Sequence, residues 1–370
     1  MSQELKSIFD TAFSDLVTPG GSVSIVKHGQ QKIIHSYGAI GRGQGDNTKV
    51  TEDTLYDVAS LTKPICTATL SMLAIDRGLL TLEKTLGDYL PLAKNTDFEK
   101  VTIKELLGHS SGLPAHYRFF ERAWEEHGVN YTILDQELIS LILKTPKQYE
   151  TGSKSTYSDL GYILLGKLLE SIYGAELDSI FNDEVAQKLG LSSTSFRRIS
   201  KDIPLNIPSN IIAPTESCKT RGRLQGVVHD ENCYLMDGVA GHAGLFSTIG
   251  DLRDVLGVWA DSFHGDNRFI NPETMRTFWR LSAAPSTSWK LGFDTPSPTK
   301  GVSHAGDLFY RSSIGHLGFT GTSFWLDPET KNSVIILTNR VYDSRAPEGI
   351  KSLRRAAMDS ATVNHFGAPL

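Results

Sequence analysis

The pattern of apolar and polar positions divides the chain into two strand-forming ends and a helix-rich middle. Apolar residues recur at helical spacing over 3–16, and residues 345–362 are predicted to form a closing helix. Alternating or continuously apolar stretches predict strands, which are residues 22–27, 32–37, 315–326 and 332–338. Polar turns join the first two and the last two strands, so we expect two antiparallel hairpins.

Helical signals dominate the chain between the two hairpins. Thr102 and Glu105 are the two ends of a capping box that begins a short helix. The strongly apolar stretch from Leu160 is typical of a buried helix, which Ser158 or Asp159 would cap. A helix-rich segment inserted into an antiparallel sheet predicts a mixed α/β (α+β) fold.

Ser60 lies at the mouth of a predicted helix, three residues before Lys63. Apolar residues recur from Ile65 onward, and Pro64, which lacks an N–H, places the first regular turn near residues 61–63. This spacing brings Ser60 and Lys63 to one side, where the helix dipole disfavours a protonated amine. A serine hydroxyl needs a base to become a nucleophile, so we interpret the motif as a Ser–Lys catalytic pair.

The S-x-x-K spacing is not specific by itself, because it occurs at 24–27, 60–63 and 297–300. The first occurrence lies in an alternating strand pattern, where the two side chains point to opposite faces. The third lies in a proline-rich loop. Only Ser60 has the helix entry that the chemistry needs, and the alternative is that Ser60 serves only as an N-cap.

Three other motifs suggest different chemistry. Ser110 lies in a G-x-S-x-G sequence at 108–112, but a helix rather than a strand precedes it, so a simple turn explains it better. Residues 229–232 (His-Asp-Glu-Asn) share no face at a metal-ligand spacing. The glycine-rich run 238–244 lacks the phosphate-loop lysine and indicates close backbone packing. We therefore expect no cofactor and no metal, and the roles of 229–232 and of His242 stay open.

Composition narrows the class of partner. The chain has 370 residues, of which 39% are apolar, so a large core can form. A net charge of −5 argues against nucleic acid or an anionic membrane as the partner. No apolar stretch of about 18 residues occurs, so no membrane span is expected. With three cysteines and no signal-peptide pattern, we expect a reducing, cytoplasmic location.

Three motifs together resemble the serine β-lactamase and penicillin-binding-protein superfamily, and most of all its class C-like members, related esterases and D-amino-acid peptidases. Their order and separation fit the family, as does the stretch 102–114, and the resemblance covers nearly the whole chain. The motifs are Ser60-Leu61-Thr62-Lys63, then Tyr157-Ser158-Asp159 where the family has Tyr-x-Asn, and His316-Leu317-Gly318 where it has Lys/His-x-Gly.

The resemblance implies a β-lactamase/transpeptidase-like fold, in which helices flank an antiparallel sheet and a helical domain is added. We expect residues 1–58 and 285–370 to form the α/β sandwich domain. Residues 59–284 would form the helix-rich domain, which carries the nucleophile helix and the tyrosine motif. The site would lie between the two domains.

The resemblance also implies the chemistry of the site. Ser60 would attack a carbonyl and form an acyl-enzyme, while Lys63 and Tyr157 share the general-base work. The backbone amides of Ser60 and Phe319, the latter on the strand after Gly318, would form the oxyanion hole. The residues expected to contact substrate are Asp159, His316 and Gly318.

Two departures from the family pattern bear on the substrate. Asp159 replaces an amide that donates to substrate, and its carboxylate would pair with Lys63, which leaves Tyr157 as the better base. His316 replaces a lysine and would be a weaker, pH-dependent anchor for a substrate carboxylate. Both changes favour an esterase or peptidase with weak or no β-lactamase activity.

We therefore predict a serine hydrolase that acts on an ester or amide of a small-molecule or short-peptide substrate, including a peptidoglycan-derived peptide. The alternative is a penicillin-recognising sensor or binding protein of the same fold that is acylated without efficient turnover. The sequence does not indicate the substrate itself, the efficiency of deacylation or the oligomeric state.

Overall fold

The computed structural model describes residues 3–43, 46–200, 211–346 and 348–367. The remaining residues of the two expected domains lie outside the described residues. In the described ranges the strands are β1 (Gly20–Lys27), β2 (Gln31–Gly38), β3 (Tyr56–Asp57), β4 (Ser195–Phe196), β5 (Ser217–Cys218), β6 (Gly222–Arg223), β7 (Leu245–Ser247), β8 (Ile314–Leu317), β9 (Ser323–Leu326) and β10 (Ser333–Thr338).

The helices of the same ranges fall into two groups. The α-helices are α1 (Gln3–Ser14), α2 (Thr69–Asp76), α3 (Leu86–Tyr89), α4 (Ile103–Leu107), α5 (Phe119–His127), α6 (Asp135–Leu143), α7 (Asp159–Tyr173), α8 (Leu177–Phe181), α9 (Gln187–Leu189), α10 (Glu231–Leu235), α11 (Ile249–Phe263), α12 (Pro272–Arg280) and α13 (Glu348–Ala361). The 3₁₀-helical segments are Ala59–Leu61, Pro91–Ala93 and Arg340–Tyr342. The π-helical segments are Lys63–Ala68, Asn182–Ala186 and Thr362–Phe366. None of these described helices combines the length and apolarity needed to cross a membrane.

A five-stranded antiparallel sheet in the order β2-β1-β10-β9-β8 joins the two ends of the chain. The hairpin predicted from residues 22–27 and 32–37 is confirmed as β1 and β2. β1 also pairs with β10, so that Val23 lies opposite Ile336. The first and last strands of the sequence are therefore neighbours in the middle of the sheet.

Alternate residues of the central strands point into two different cores. Val23 of β1 and Val334 and Ile336 of β10 are buried on the face that α1 and α13 cover. Ile335 and Leu337 point to the opposite face and join the main core, to which α11 contributes. Each fully buried branched side chain contributes about 1.5–3 kcal/mol. This two-sided burial confirms the expected sheet with helices on both faces.

The strand predicted over 315–326 is wrong in one respect, because the structure breaks it into β8 and β9. The Gly318 amide donates to the carbonyl of Thr322 over 2.7 Å, which closes a tight turn. Gly321 has φ +113°, a conformation that glycine adopts without a steric penalty. Phe319 therefore lies in this turn and not on a strand.

The segment that carries the predicted nucleophile is helical from residue 59 to residue 76 but is not a regular α-helix. The 3₁₀ turn that contains Ser60 is followed by a π-helical turn from Lys63, and α2 begins only at Thr69. Pro64 lies in the first turn of the π-helical segment, where its missing N–H leaves no interior carbonyl unpaired. Gly78, with φ +69°, follows the end of the helix as the sequence predicted.

Two predicted helix starts in the middle of the chain are confirmed. The Thr102 hydroxyl accepts from the amide of Glu105, and the Glu105 carboxylate accepts from the amide of Thr102. The Ser158 hydroxyl accepts from the amide of Gly161 and so caps α7. α11 comes from the segment assigned to the helix-rich domain but packs on β1 and β10. The division between residues 58 and 59 and between 284 and 285 stays a prediction.

Candidate active site

A cavity of about 520 Å³ lies beside the β8–β9 turn and the mouth of the nucleophile helix. It contains most of the residues that the sequence predicted to act on substrate. The predicted residues in its lining are Ser60, Tyr157, Asp159, His316, Gly318 and Phe319. The structure therefore brings residues that are more than 250 positions apart into one site.

The backbone before Ser60 is held in an unusual conformation. Ala59 has φ +48°, which costs a non-glycine residue about 1–2 kcal/mol. Buried Asp57 compensates, because its two carboxylate oxygens accept from the amides of Ala59 (2.8 Å) and His229 (2.7 Å). Burial raises the pKa of Asp57, although these two amides oppose the shift. Asp57 thus fixes the chain at the point where the nucleophile begins.

Lys63 is fully buried and its ammonium group has three acceptors. Its Nζ lies 3.0 Å from Ser60 Oγ, 2.7 Å from Asp159 Oδ1 and 3.0 Å from the carbonyl oxygen of His242. Burial opposes the charge, but the carboxylate of Asp159 and the nearby Tyr157 outweigh it and raise the pKa of Lys63. An ammonium has three hydrogens, so every one of them has a partner.

Tyr157 lies between Lys63 and a group of aromatic rings. Lys63 Nζ is 4.7 Å from the centroid of the Tyr157 ring. The rings of His109 and Trp289 lie 4.7 and 5.2 Å from it. Burial raises the pKa of the Tyr157 hydroxyl, while the charge of Lys63 and hydrogen bonding to Lys63 and Ser60 oppose that shift. Tyr157 is therefore a neutral phenol at rest, next to a cation that favours its phenolate form.

Asp159 uses its two oxygens on two different partners. Oδ1 accepts from Lys63, and Oδ2 lies 3.3 Å from Nδ1 of His116. Burial would raise the pKa of Asp159, but the charge of Lys63 and the hydrogen bond to His116 lower it well below its usual range. The carboxylate is thus ionised, as expected from its place next to Lys63.

The two amides expected to form an oxyanion hole have no acceptor among the described residues. They are the N–H groups of Ser60, at the helix mouth, and Phe319, in the β8–β9 turn. Arg354 of α13 braces this turn by donating to the carbonyls of Gly318 (2.8 Å) and Thr322 (2.7 Å). A side chain at position 318 would meet Thr322 Oγ1 at 2.0 Å, so only glycine fits there.

His316 does not carry the charge that was expected of it. Its Nδ1 lies 2.9 Å from the carbonyl of Leu317, which can only accept, so Nδ1 holds the proton. Burial and the charge of Lys63 lower the pKa of His316 to about 3. The imidazole is therefore neutral near pH 7 and offers no positive charge to a substrate carboxylate, and the expected contact of His316 with substrate stays a prediction. Its buried Nε2 is a free acceptor among the described residues.

The side chains of the other candidate motifs form hydrogen bonds or ion pairs within the protein. Ser110 is buried away from the cavity, and its single hydroxyl proton is shared between the carbonyls of Glu105 (3.4 Å) and Ala283 (3.3 Å). His229 pairs with Glu216 at 2.8 Å, and Asp230 pairs with His242 at 2.9 Å. In the part of the chain that the structure describes, no three His, Cys, Asp or Glu residues are placed to hold a metal ion.

Sequence reasoning missed three parts of the site. His116 and Trp289 belong to loops without a recognisable motif, so nothing in the sequence pointed to them. The sequence did give one indication of the carbonyl of His242, because the glycine-rich run 238–244 around it indicates close backbone packing. A side chain at Gly241 would meet the carbonyl oxygen of Tyr162 at 2.2 Å, so glycine lets this run approach α7 and reach Lys63.

Comparison with known proteins identifies the class. The Beta-lactamase family model matches residues 9–358. The chain is 31% identical over 360 residues to a putative D-alanyl-D-alanine carboxypeptidase of Escherichia coli (strain K12), covering 89% of this chain and 80% of that protein. It is 30% identical over 363 residues to the N-acetylmuramyl-L-alanine amidase of Bacillus subtilis (strain 168), covering 88% and 78%.

The fold is also similar to that of a solved structure. The structure of EstCE1, a hydrolase with promiscuous acyltransferase activity, superposes with a TM-score of 0.70 at 21% identity, covering 96% of this chain and 98% of that one. The family model and the two relatives define the class as a serine hydrolase. The chain belongs to the beta-lactamase family.

Proposed function

We propose that Ser60 is the nucleophile through which this serine hydrolase cleaves an ester or amide bond of a small substrate. The observation that carries the proposal is the 3.0 Å distance between the buried Lys63 Nζ and the Oγ of Ser60, which lines the cavity. Tyr157 lines the same cavity, as does Phe319, whose amide together with that of Ser60 has no acceptor among the described residues.

Tyr157 is the proton acceptor in this mechanism, and Lys63 is its electrostatic partner. An ammonium that already donates to three acceptors cannot take a proton from Ser60. The same ammonium stabilises the phenolate of Tyr157 from 4.7 Å below the ring. The reactive form of the site therefore carries one proton fewer than the resting form, and Tyr157 is the group that lacks it.

Acylation follows from this arrangement. The Tyr157 phenolate takes the hydroxyl proton of Ser60 as Oγ attacks the carbonyl carbon of the substrate. The carbonyl oxygen becomes an oxyanion that accepts from the amides of Ser60 and Phe319. Tyr157 then gives the proton to the leaving alcohol or amine, and the acyl-enzyme remains.

Deacylation repeats the sequence with water. The regenerated phenolate takes one proton from a water molecule whose oxygen attacks the acyl carbon. The bond to Ser60 Oγ breaks, Oγ receives the proton back from Tyr157, and a carboxylic acid leaves. No group other than Tyr157, Lys63 and the two amides is needed for either half.

A peptidoglycan-derived peptide is the substrate class that the relatives support, since two of them are named a carboxypeptidase of D-alanyl-D-alanine and a muramyl-alanine amidase. A cavity of about 520 Å³ has room for a short peptide or small molecule. The Asp159 carboxylate supports weak turnover of β-lactams, because it cannot donate to their amide. The three cysteines are unpaired, which supports a reducing compartment such as the cytoplasm.

Intact-protein mass spectrometry with a fluorophosphonate tests the nucleophile. We expect a single adduct that maps to Ser60, none in Ser60→Ala, and an unchanged adduct in the matched control Ser110→Ala. Hydrolysis of chromogenic esters, nitrocefin or D-Ala-D-Ala peptides should fall at least about thousandfold in Ser60→Ala.

Two outcomes would decide against the proposal. Labelling of Ser60→Ala together with loss of labelling in Ser110→Ala would move the nucleophile to Ser110. A Ser60 adduct that forms with every substrate of the panel and is never released would favour a sensor of the same fold.

A further inference from the structure

The carboxylate of Asp159 lies between one buried and one accessible nitrogen base. Lys63 is 0% exposed and binds Oδ1, whereas His116 is 38% exposed and lies 3.3 Å from Oδ2. A continuous line of polar contacts therefore runs from the cavity entrance through Asp159 and Lys63 to Ser60. The mechanism above uses the inner members of this line and leaves His116 without a role.

The loop that carries His116 is fastened to the start of α7. The amide of Asp159 donates to the carbonyl of Ala115 over 2.9 Å. The hydroxyl of Ser158 donates to the carbonyl of Pro114 over 2.7 Å. The cap residue of the helix and the residue after it form these two bonds. The position of His116 beside Asp159 is therefore part of the fold and does not depend on a single side-chain contact.

We propose that His116 is a positioning residue that, through Asp159, raises the fraction of the Lys63–Tyr157 pair that has lost its proton at acidic pH. The proposal rests on the proposed function, since it assigns a regulation to the same site. As an imidazolium, His116 shares the Asp159 carboxylate with Lys63. As a neutral imidazole, it leaves the full negative charge to Lys63.

The direction of the effect follows from the charges. A carboxylate that faces only Lys63 holds the pair in its protonated, unreactive form. A second cation on the other oxygen offsets part of that negative charge, so the pair loses its proton at a lower pH. The groups that face His116 are Asp159 on α7 and Asp230 and Glu231 on α10, all of which favour the imidazolium.

Two further contacts complete the surroundings of this line. His242 pairs with Asp230 and is one of the groups that stabilise the charged form of Asp159. Arg345 is bound to Glu231. The hydrogen bond to Asp159 raises the pKa of His116, although burial opposes it. The imidazolium is thus favoured on the acidic side of neutrality, where the pair most needs help to lose its proton.

The rate of labelling of Ser60 by a fluorophosphonate, measured against pH, tests this inference. In the wild-type protein the rate should rise along an acid limb to a plateau. In His116→Gln, which keeps a donor but loses the charge, the labelling rate on the acidic part of the limb, where the wild-type imidazole is protonated, should fall about tenfold. At higher pH, where the wild-type imidazole is neutral as well, the two rates should converge.

Three further variants keep the result specific. Asp159→Asn should raise the labelling rate along the limb, and adding His116→Gln to it should change the rate at acidic pH no further. The matched control is His127→Gln, an exposed histidine at the end of α5, which should leave the profile unchanged.

The outcomes separate the inference from the function on which it rests. A His116→Gln labelling rate that is lower by the same factor at every pH would mean that His116 only supports the loop, and it would overturn the inference alone. A second loss of rate at acidic pH on top of Asp159→Asn would also overturn it. A wild-type protein that is never labelled at Ser60 would overturn the proposed function, and the inference with it.

Discussion

Asp159 shows how much a single side chain changes in this site. An amide at this position could donate to a substrate, whereas the carboxylate only accepts and fixes the ammonium of Lys63 at 2.7 Å. A role as helix cap does not account for it, because Ser158 supplies the cap of α7 and Asp159 is the first helical residue. The contact of this side chain with Lys63 therefore supports the role in the site that we propose for it.

Replacing Asp159 by Asn should raise acylation by nitrocefin relative to acylation by a simple chromogenic ester. The substitution removes the charge that holds Lys63 and restores a donor for the β-lactam amide. Stopped-flow acylation rates with both substrates, in both proteins, give the ratio. An unchanged ratio would mean that Asp159 does not face the substrate.

At the scale of residues, the sequence predicted those candidate site residues that lie close together in the chain or belong to a motif. Ser60 and Lys63 were found from their spacing at a helix entry. His116 and Trp289 were not, because each reaches the site through a loop whose path depends on tertiary packing. The neutral state of His316 was also beyond the sequence, since it follows from burial and from the carbonyl of Leu317.

At the scale of elements, the close approach of α7 to the glycine-rich run 238–244 holds the inner side of the site. Gly166 of α7 faces Gly241, and the Gly241 carbonyl accepts from Thr67 on the nucleophile helix over 2.6 Å. The next carbonyl, that of His242, accepts from Lys63. Backbone packing thus places one of the three acceptors of the ammonium.

Replacing Gly241 by Ala should therefore lower both stability and activity. The new methyl group would meet the Tyr162 carbonyl at 2.2 Å, and the overpacking should cost about 1–3 kcal/mol of the free energy of unfolding. Urea denaturation and ester hydrolysis measure the two effects.

The matched control is Gly250→Ala in α11, where a methyl group meets nothing within 4 Å. It should leave activity unchanged and raise the free energy of unfolding by at most about 1 kcal/mol. Equal behaviour of the two variants would contradict the role given to the close approach.

The elements that the sequence predicted well are those with a long, regular pattern. The first hairpin and α7 are examples, since their burial follows directly from the spacing of apolar residues. The break between β8 and β9 escaped prediction because Leu317, Phe319 and Phe324 favour strands on both sides of it. Hydrogen bonds from Gly318 to Thr322 and from Gly321 to Gly318 close the turn, and no sequence pattern predicts them.

At the scale of the whole molecule, one face of the sheet is covered by the two helices farthest apart in the chain. α1 and α13 pack against each other and on the sheet. Phe9 of α1 is buried there and stacks on Tyr37 of β2 with 4.5 Å between the ring centroids. The order of the elements suggested that the two ends of the chain meet. The pairing of β1 with β10, which makes this possible, is a long-range contact that the sequence pattern does not specify.

Replacing Phe9 by Ala should lower the free energy of unfolding by about 3–5 kcal/mol, because a large buried ring leaves a cavity. Phe13 lies one turn further along α1 and is 41% exposed beside Arg42, so Phe13→Ala should cost only about 1 kcal/mol. Chemical denaturation followed by tryptophan fluorescence compares them. Equal losses would show that this face of the sheet is not a packed core.

Arg354 ties the active-site turn to α13, and this has a consequence for synthesis on the ribosome. The nucleophile and the tyrosine motif emerge early, and the turn that supplies the Phe319 amide emerges later. That turn has its brace only when α13 has also left the exit tunnel, since Arg354 holds the carbonyls on both sides of it. A nascent chain would therefore carry the proposed nucleophile Ser60 before the amide of Phe319 is held in place, and we expect it to become competent only after α13 has left the ribosome.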